Sequence, residues 1–247
     1  STLMRSSAAS DVYKRQVDES SGIITGEDAR HIALSLRMKT GEEITLCKKG
    51  VDYECVLEEI TPESVSCRVI RVFPSETEAN IRLHLFQAVP KGEKAEMIIQ
   101  KAVEMGVYDI TFVLTSRCIS RPDEKSFSKK LKRYNKIALE AAKQSRRGIV
   151  PQVYGILSLR QAIDKLCECD TAIWCYEKGG KPFSETELKP NSEIGLLIGS
   201  EGGFSEDEAE QISASGIKPI TLGKRILRCE TAPLAAAAII MNITGNM

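Results

Sequence analysis

The sequence predicts an α/β protein in which a parallel-sheet domain follows a small antiparallel β-barrel domain. Short strand-like runs separated by tight turns extend to residue 73, a pattern that is typical of a small barrel. Strand-like and helix-like segments alternate after residue 80, which favours a parallel sheet covered by helices on both faces. Residues 74–80 are polar and carry no periodic apolar pattern, so we expect the domain boundary there.

The smaller domain is expected over residues 17–75. Residues 1–16 lack apolar periodicity and do not begin with methionine, and we interpret them as a non-native or disordered leader. Thr25 and Asp28 have the spacing of a capping box, which predicts a helix start. Three strands rich in Val, Ile, Cys and Tyr are predicted after this helix, at 43–48, 52–60 and 64–73.

The larger domain is expected over residues 76–247, with elements that alternate between periods of two and of 3.6 residues. Its strands are predicted at 81–89, 107–114, 150–154, 171–176, 194–198 and 217–222. Its helices are predicted at 94–105, 127–146, 159–167, 205–215 and 231–243. The helix at 205 has a capping box formed by Ser205 and Glu208.

The composition is that of an ordinary globular protein, with 42% hydrophobic and 28% charged residues. No apolar run approaches the roughly eighteen residues of a membrane span, and no signal pattern precedes the domains, so we expect a cytoplasmic protein without membrane contact. The 8 cysteines lack the spacing of a zinc site and are predicted to be free thiols. With only 2 histidines far apart in the chain, we expect no metal.

The net charge is zero, but the charges are unevenly placed along the chain. Residues 117–147 carry 11 Lys and Arg against 3 Asp and Glu, a net of +8. Residues 185–210 carry 8 acidic residues against one Lys, a net of −7. A basic block of this kind attracts phosphates even in a neutral protein, although a solvated helix face would have the same composition.

Two strand ends carry unusual loops. Residues 196–204 are predicted to form a buried strand that runs into three glycines around a glutamate. Residues 222–232 carry a glycine, then a loop with two arginines and a glutamate, and then the start of an alanine-rich helix. Ligands of parallel sheets bind at such carboxyl ends, and glycines allow close backbone approach. Neither segment has the spacing of a dinucleotide fingerprint or of a P-loop. A simple tight turn and a well-packed core helix remain the structural alternatives.

These two segments resemble the closing motifs of the RsmE family of small-subunit rRNA uracil-N3 methyltransferases, which belong to the SPOUT class with a trefoil-knotted domain. The resemblance continues through further segments of both domains, at 26–31, 36–41, 87–91, 99–107, 116–118 and 140–147. It covers nearly the whole chain, and Ser200 and Cys229 stand where the family usually has proline and threonine. The implied fold is a PUA-like RNA-binding barrel followed by a SPOUT methyltransferase domain.

The resemblance also implies the ligands. S-adenosylmethionine would bind the two loops, and the partners would be 16S rRNA or the small ribosomal subunit and a second copy of the chain in a homodimer. The implied cofactor-binding residues are Leu197, Ile198, Gly199, Glu201, Gly202, Gly203, Leu222, Gly223, Ile226, Leu227, Thr231 and Ala232. The implied RNA contacts are Arg37, Lys91, Arg117, Arg121, Arg146 and Arg147.

Methylation of uracil N3 requires loss of the imide proton or stabilisation of the resulting anion. We therefore expect Arg228 to stabilise charge on the uracil carbonyl oxygens, and Glu201 or Glu230 either to act as the base or to anchor a loop. Two alternatives stay open. The chain could be a related SPOUT enzyme that acts on tRNA or on a ribose 2′-OH, or an RNA-binding protein without catalysis.

Overall fold

The computed structural model describes residues 12–13, 22–48 and 50–247. Among these, the residues up to 78 and residues 142–150 form one compact unit, and residues 79–141 and 151–247 form the other. The sequence at 1–16, interpreted as a leader, lies outside the described residues except for a two-residue strand, β1 (Val12–Tyr13). No described helix is long and apolar enough to cross a membrane.

The first unit is built on a five-stranded sheet whose order is β1-β3-β4-β5-β2. Its remaining strands are β2 (Ile23–Thr25), β3 (Glu43–Lys48), β4 (Val51–Ile60) and β5 (Ser64–Pro74). These four pair antiparallel, whereas β1 lies parallel to β3. The inward-facing residues of the strands form one apolar core that includes Ile24, Ile44, Leu57 and Val65, as alternation along a half-buried sheet requires.

The start of the first helix differs from the prediction. Thr25 ends β2, and helix α1 (Glu27–Arg30) begins after Gly26, which has a φ of 74° and makes no side-chain cap. The predicted capping box is therefore wrong, because strand pairing with β5 takes Thr25 out of the helix. A π-helical segment, His31–Leu36, continues from α1.

The second unit contains a seven-stranded parallel sheet, which confirms the predicted fold class. Its strands are β6 (Arg82–Ala88), β7 (Asp109–Leu114), β8 (Gln152–Ser158), β9 (Thr171–Cys175), β10 (Lys181–Pro182), β11 (Glu193–Ile198) and β12 (Lys218–Thr221). The order is β10-β12-β9-β11-β6-β7-β8, and all neighbours are parallel. The expected trefoil knot stays a prediction.

Helices follow the strands of this sheet. They are α2 (Lys94–Glu104), α3 (Glu124–Gln144), α4 (Leu159–Leu166), α5 (Glu206–Ala214) and α6 (Ala232–Ile243). The capping box predicted for α5 is present, since Ser205 accepts from the Glu208 N–H while Glu208 accepts from the Ser205 N–H. The final residues of α3 belong to the first unit.

Strand order determines where a site can form. In the sheet β9 lies between β11 and β12, and β11 lies between β9 and β6. Because all these strands are parallel, their carboxyl ends meet at one edge of the sheet. Both unusual loops, which follow β11 and β12, therefore begin at the same edge.

Candidate cofactor and RNA site

The first glycine loop, residues 199–204, is a tight turn after β11. The Gly203 N–H donates to the Ser200 carbonyl at 3.0 Å, and the side chain of Phe204, 1% exposed, packs edge-on against Trp174. Gly203 has a φ of +64°, and a Cβ there would lie 2.9 Å from a carboxylate oxygen of Glu177. The positive φ therefore favours glycine at this position of the turn.

The second glycine loop, residues 222–231, connects β12 to α6. It opens with Gly223 at a φ of +100° and exposes the side chain of Ile226, which is 83% accessible. The Arg228 carbonyl accepts from the N–H groups of Thr231 and Ala232 at 2.8 and 2.9 Å. The loop thus turns directly into the first residues of α6.

A cavity of about 490 Å³ lies between the two glycine loops, a size that suits a cofactor or a small ligand. Of the residues expected to bind the cofactor, ten line it: Ile198, Gly199, Glu201, Gly202, Gly203, Leu222, Gly223, Ile226, Leu227 and Ala232. Leu197 and Thr231 are not among the lining residues. Leu197 is fully buried in the core between the sheet, α4 and α5, so its side chain faces away from the cavity.

Several lining residues were not predicted from the sequence. Cys175 ends β9, Tyr176 and Glu177 follow it, and Lys94 begins α2. The β9 residues reach the cavity because β9 pairs with β11 and β12. A parallel-sheet prediction places strand ends at one edge, but it does not say which strands are neighbours.

Lys94 joins the two loops. Its ammonium nitrogen lies 3.1 Å from Glu201 Oε1 and 3.0 Å from Glu230 Oε2, and 3.8 Å from Cys229 Sγ. Glu201 Oε1 also accepts the backbone N–H of Lys91 at 3.0 Å. Both carboxylates that were expected to act as base or anchor are therefore ion-paired to one lysine.

These contacts determine the charge of the carboxylates. Burial acts to raise the pKa of Glu201, but hydrogen bonds from its own N–H and from Lys91, together with the Lys94 ammonium, hold that pKa below its usual value. The pKa of Glu230 is lowered in the same way, against burial, by its own N–H, by Lys94 and by Cys229. A carboxylate with a lowered pKa is a weak proton acceptor, which favours anchoring over base catalysis.

Cys229 lies between these charges as a neutral thiol. Burial, the hydrogen bond to Glu230 and the charge of Glu201 raise the pKa of Cys229 to about 12. Its Sγ lies 3.3 Å from Glu230 Oε2, so the thiol is a hydrogen-bond donor to the carboxylate. Burial likewise raises the pKa of Cys175, another residue of the cavity wall, to about 12. Neither thiol is activated as a nucleophile.

Arg228 lies on the wall of the cavity with an exposed side chain. Within the described part of the chain, no ion pair engages its guanidinium. Lys224 and Arg225, which are also exposed, line the same cavity. The second glycine loop therefore presents three cations at the mouth of the cavity, where an anion would be stabilised.

Two arginines of the basic block contact the loops at this edge. Arg117 is exposed, its Nη1 donates to the Gly202 carbonyl at 3.0 Å, and its Cβ is so close that a Cβ on Gly202 would lie 2.9 Å away. Arg121 donates to the carbonyls of Thr115 and Ser116 at 2.9 and 3.2 Å. The loop after β7 thus brings positive charge next to the first glycine loop.

The other expected RNA contacts are scattered. Lys91 has an exposed side chain, and Arg37 and Arg146 are exposed residues with φ of 52° and 57°. Arg147 differs, because its side chain is 4% exposed and its Nη2 lies 2.7 Å from Glu78 Oε2. A buried, ion-paired guanidinium cannot reach a phosphate, so Arg147 is removed from the set of RNA contacts and is a structural residue.

Two protein-family models match this chain. A family model described as an RNA methyltransferase domain matches residues 77–241. A second family model, an RNA methyltransferase PUA domain, matches residues 24–70. The first match covers the parallel sheet, its helices and both glycine loops, and the second covers most of the small sheet.

Similar proteins span almost the full chain. Ribosomal RNA small subunit methyltransferase E of Bacillus subtilis is 35% identical over 239 residues, 93% of this chain and 93% of the relative. The protein of the same name from Buchnera aphidicola is 29% identical, with 90% of this chain and 88% of the relative covered. The crystal structure of the Neisseria gonorrhoeae ribosomal RNA small subunit methyltransferase E bound to S-adenosyl methionine has a TM-score of 0.83 at 28% identity, covering 96% of this chain and 98% of the other.

Proposed function

Because the chain belongs to the RNA methyltransferase family that includes ribosomal RNA small subunit methyltransferase E, we propose that it transfers a methyl group from S-adenosylmethionine to uracil N3 in 16S rRNA. The observation that carries this proposal is the cavity of about 490 Å³ between the two glycine loops. The cavity lies at the carboxyl edge of a parallel sheet, where such folds bind their ligands, and a Neisseria gonorrhoeae relative of the same fold was solved with S-adenosyl methionine.

The residues of the cavity fit this cofactor. Glycines at 199, 202 and 203 line the cavity and present backbone to a ligand, because they carry no side chain. The buried Oγ of Ser200 has no hydrogen-bond partner among the described residues, so a polar group of the ligand would satisfy it. Ile198, Leu222 and Leu227 supply apolar wall for an adenine ring. When bound, the cofactor supplies the methyl group that is transferred.

The residues of this chain would perform the remaining tasks. Arg228 and its neighbouring cations would stabilise negative charge on the uracil carbonyl oxygens as N3 loses its proton. Glu201 and Glu230 would anchor the loops, because both are ion-paired to Lys94. Positioning of the base and the cofactor would then supply much of the rate.

The RNA would be held by exposed cations of both units. Arg117 contacts the first glycine loop, Arg121 contacts the loop after β7, and Lys91 follows the end of β6. The other candidates, Arg37 and Arg146, belong to the first unit, which matches a PUA domain. We place the RNA-binding domain at 17–75 and the methyltransferase domain at 76–247, and a target uracil would have to leave its base pairing to expose N3.

A homodimer is part of this proposal. Helix α6 exposes Ile239 and Ile243, and Met97 of α2 is 49% exposed. These two helices pack against one another, and exposed apolar side chains on adjacent helices are typical of an association surface. Since the relatives act on ribosomal RNA, the dimer would work in the cytoplasm.

The test is methyl transfer to small ribosomal subunits that lack the modification, followed by digestion to nucleosides and mass spectrometry. We expect N3-methyluridine in 16S rRNA. If tRNA or a ribose 2′-OH is methylated instead, the proposed substrate is wrong and the chain is a methyltransferase with a different target. If S-adenosylmethionine does not bind at millimolar concentration in calorimetry, the proposed methyltransferase activity is refuted, and RNA binding without catalysis is the function that remains.

A further inference from the structure

Lys94 belongs to neither glycine loop, yet its ammonium contacts an acidic side chain of each. Glu201 comes from the loop after β11, and Glu230 comes from the loop after β12. The two loops are not neighbours in sequence, and β9 separates their strands in the sheet. A single ammonium therefore bridges the two walls of the cavity.

We propose that Lys94 is a positioning residue that holds the two glycine loops in the geometry that binds the cofactor. The inference rests on the proposed function, because it assigns a role within that site. Lys94 would act through the carboxylates and would not touch the reacting atoms.

The Lys94 ammonium offsets the electrostatic repulsion between the two carboxylates. Glu201 and Glu230 approach the same nitrogen at 3.1 and 3.0 Å, so the two carboxylates lie close to each other. Without a cation between them, like charges in a partly buried place repel. Their side chains are only 22% and 15% exposed, and water would screen the repulsion weakly. Loss of the ammonium would therefore push the two loops apart or force proton uptake.

The backbone of Lys94 is held in place by a well-packed helix. Lys94 is the first residue of α2, whose residues Ala95, Ile98 and Ile99 are almost completely buried. Three residues before Lys94, the N–H of Lys91 donates to the same oxygen of Glu201 at 3.0 Å. The segment that leads into α2 thus binds Glu201 through the backbone N–H of Lys91 and through the side chain of Lys94. The packed helix that follows holds these two groups in place.

Lys94 stays charged. Hydrogen bonds to Glu230 and Glu201 raise the pKa of Lys94 above its usual value, so it does not serve as a proton acceptor near neutral pH. Two of its three N–H donors are used by the carboxylates, and the third side is near Cys229 Sγ at 3.8 Å. This arrangement suits a fixed clamp.

The experiment compares Lys94→Met with Lys101→Met in the full chain. Lys101 lies on the same helix and pairs with Glu104 at 2.9 Å, but it does not line the cavity. We expect Lys94→Met to weaken S-adenosylmethionine binding by about tenfold, equivalent to about 1.4 kcal/mol, in calorimetry. In the ligand-free protein, amide hydrogen exchange should rise in residues 199–204 and 228–232. Lys101→Met should change neither quantity.

A rescue separates positioning from direct contact. Adding Glu201→Gln and Glu230→Gln to Lys94→Met removes the repulsion, so amide hydrogen exchange in the ligand-free triple variant should fall back towards that of the wild type. Lys94→Arg keeps the charge and should retain most of the affinity, which preserves the test if Lys94→Met does not fold. Wild-type exchange and affinity in Lys94→Met would overturn the proposal, as would hydrogen exchange in the triple variant that stays as fast as in the single one. If the wild type itself binds no cofactor, the proposed function fails, while hydrogen exchange in the ligand-free protein still tests Lys94.

Discussion

Gly203 offers a quantitative test of the first glycine loop. Its φ is +64°, and an added Cβ would lie 2.9 Å from Glu177 Oε1. Alanine in this left-handed region costs about 1–2 kcal/mol. The contact adds little, because the end of the Glu177 side chain can move away. We therefore expect Gly203→Ala to lower the free energy of unfolding by about 1–2 kcal/mol if the turn is kept.

The matched control is Gly216→Ala. Gly216 follows α5 with a φ of +84° and has no atoms within 4 Å of an added Cβ, and it does not line the cavity. Both variants should therefore lose similar stability in chemical denaturation. Only Gly203→Ala should also weaken S-adenosylmethionine binding, because any strain that the free turn relieves by shifting must be restored when the cofactor binds. The upper limit of this loss in affinity is about 5–30-fold. Wild-type cofactor affinity in Gly203→Ala would show that the turn does not shape the binding site. Undiminished stability in both variants would refute the argument from φ.

Substitutions at Arg228, Arg147, Arg117 and Glu201 test the site and the fold separately. Arg228→Ala should lower the rate of methyl transfer by about 10²–10³-fold, as for loss of an oxyanion donor, with little change in cofactor affinity in calorimetry; full activity would exclude its role in charge stabilisation. Arg147→Ala should destabilise the fold by about 3–5 kcal/mol in denaturant, because it removes the buried cation that pairs with the partly buried Glu78. Arg117→Ala, in contrast, should mainly reduce the salt dependence of RNA binding. The lowered pKa of Glu201 contributes stability that is present above its ordinary pKa and is lost as pH falls through the folded value. Glu201→Gln should therefore flatten the fall of stability on acidification in thermal melts, and an unchanged acid profile would contradict the assigned pKa.

Elements that depend on local pattern could be predicted from the sequence, and those that depend on pairing could not. The capping box at Ser205 was recognised because both of its contacts lie within four residues. The same pattern at Thr25 failed because β2 pairs with β5, about forty residues away in the chain. The strand β10 spans two residues, which is too short for any periodicity to be visible.

The same distinction explains the site. The glycine loops were visible because their composition is unusual and each is continuous in the chain. Lys94 was not, since one lysine at the start of an amphipathic helix is ordinary in sequence. Its role depends on the contacts with Glu201 and Glu230, which follow it by more than a hundred positions. Arg147 shows the converse error, because a position within a basic block does not reveal burial beside Glu78.

The acidic block at 185–210 has a physical role that its net charge conceals. Two of its carboxylates turn inward at the edge that carries the cavity. Glu201 pairs with Lys94, and Glu208 accepts the N–H of Ser116 at 2.6 Å. Against the effect of burial, the hydrogen bonds from Ser205 and Ser116 hold the pKa of Glu208 below its usual value. Ser116 directly precedes Arg117, so the carboxylate of Glu208 fixes the segment that carries this cation beside the first glycine loop. Glu208 of the acidic block thus positions Arg117 of the basic block, and the two blocks meet at the cavity edge although they are separate in the sequence.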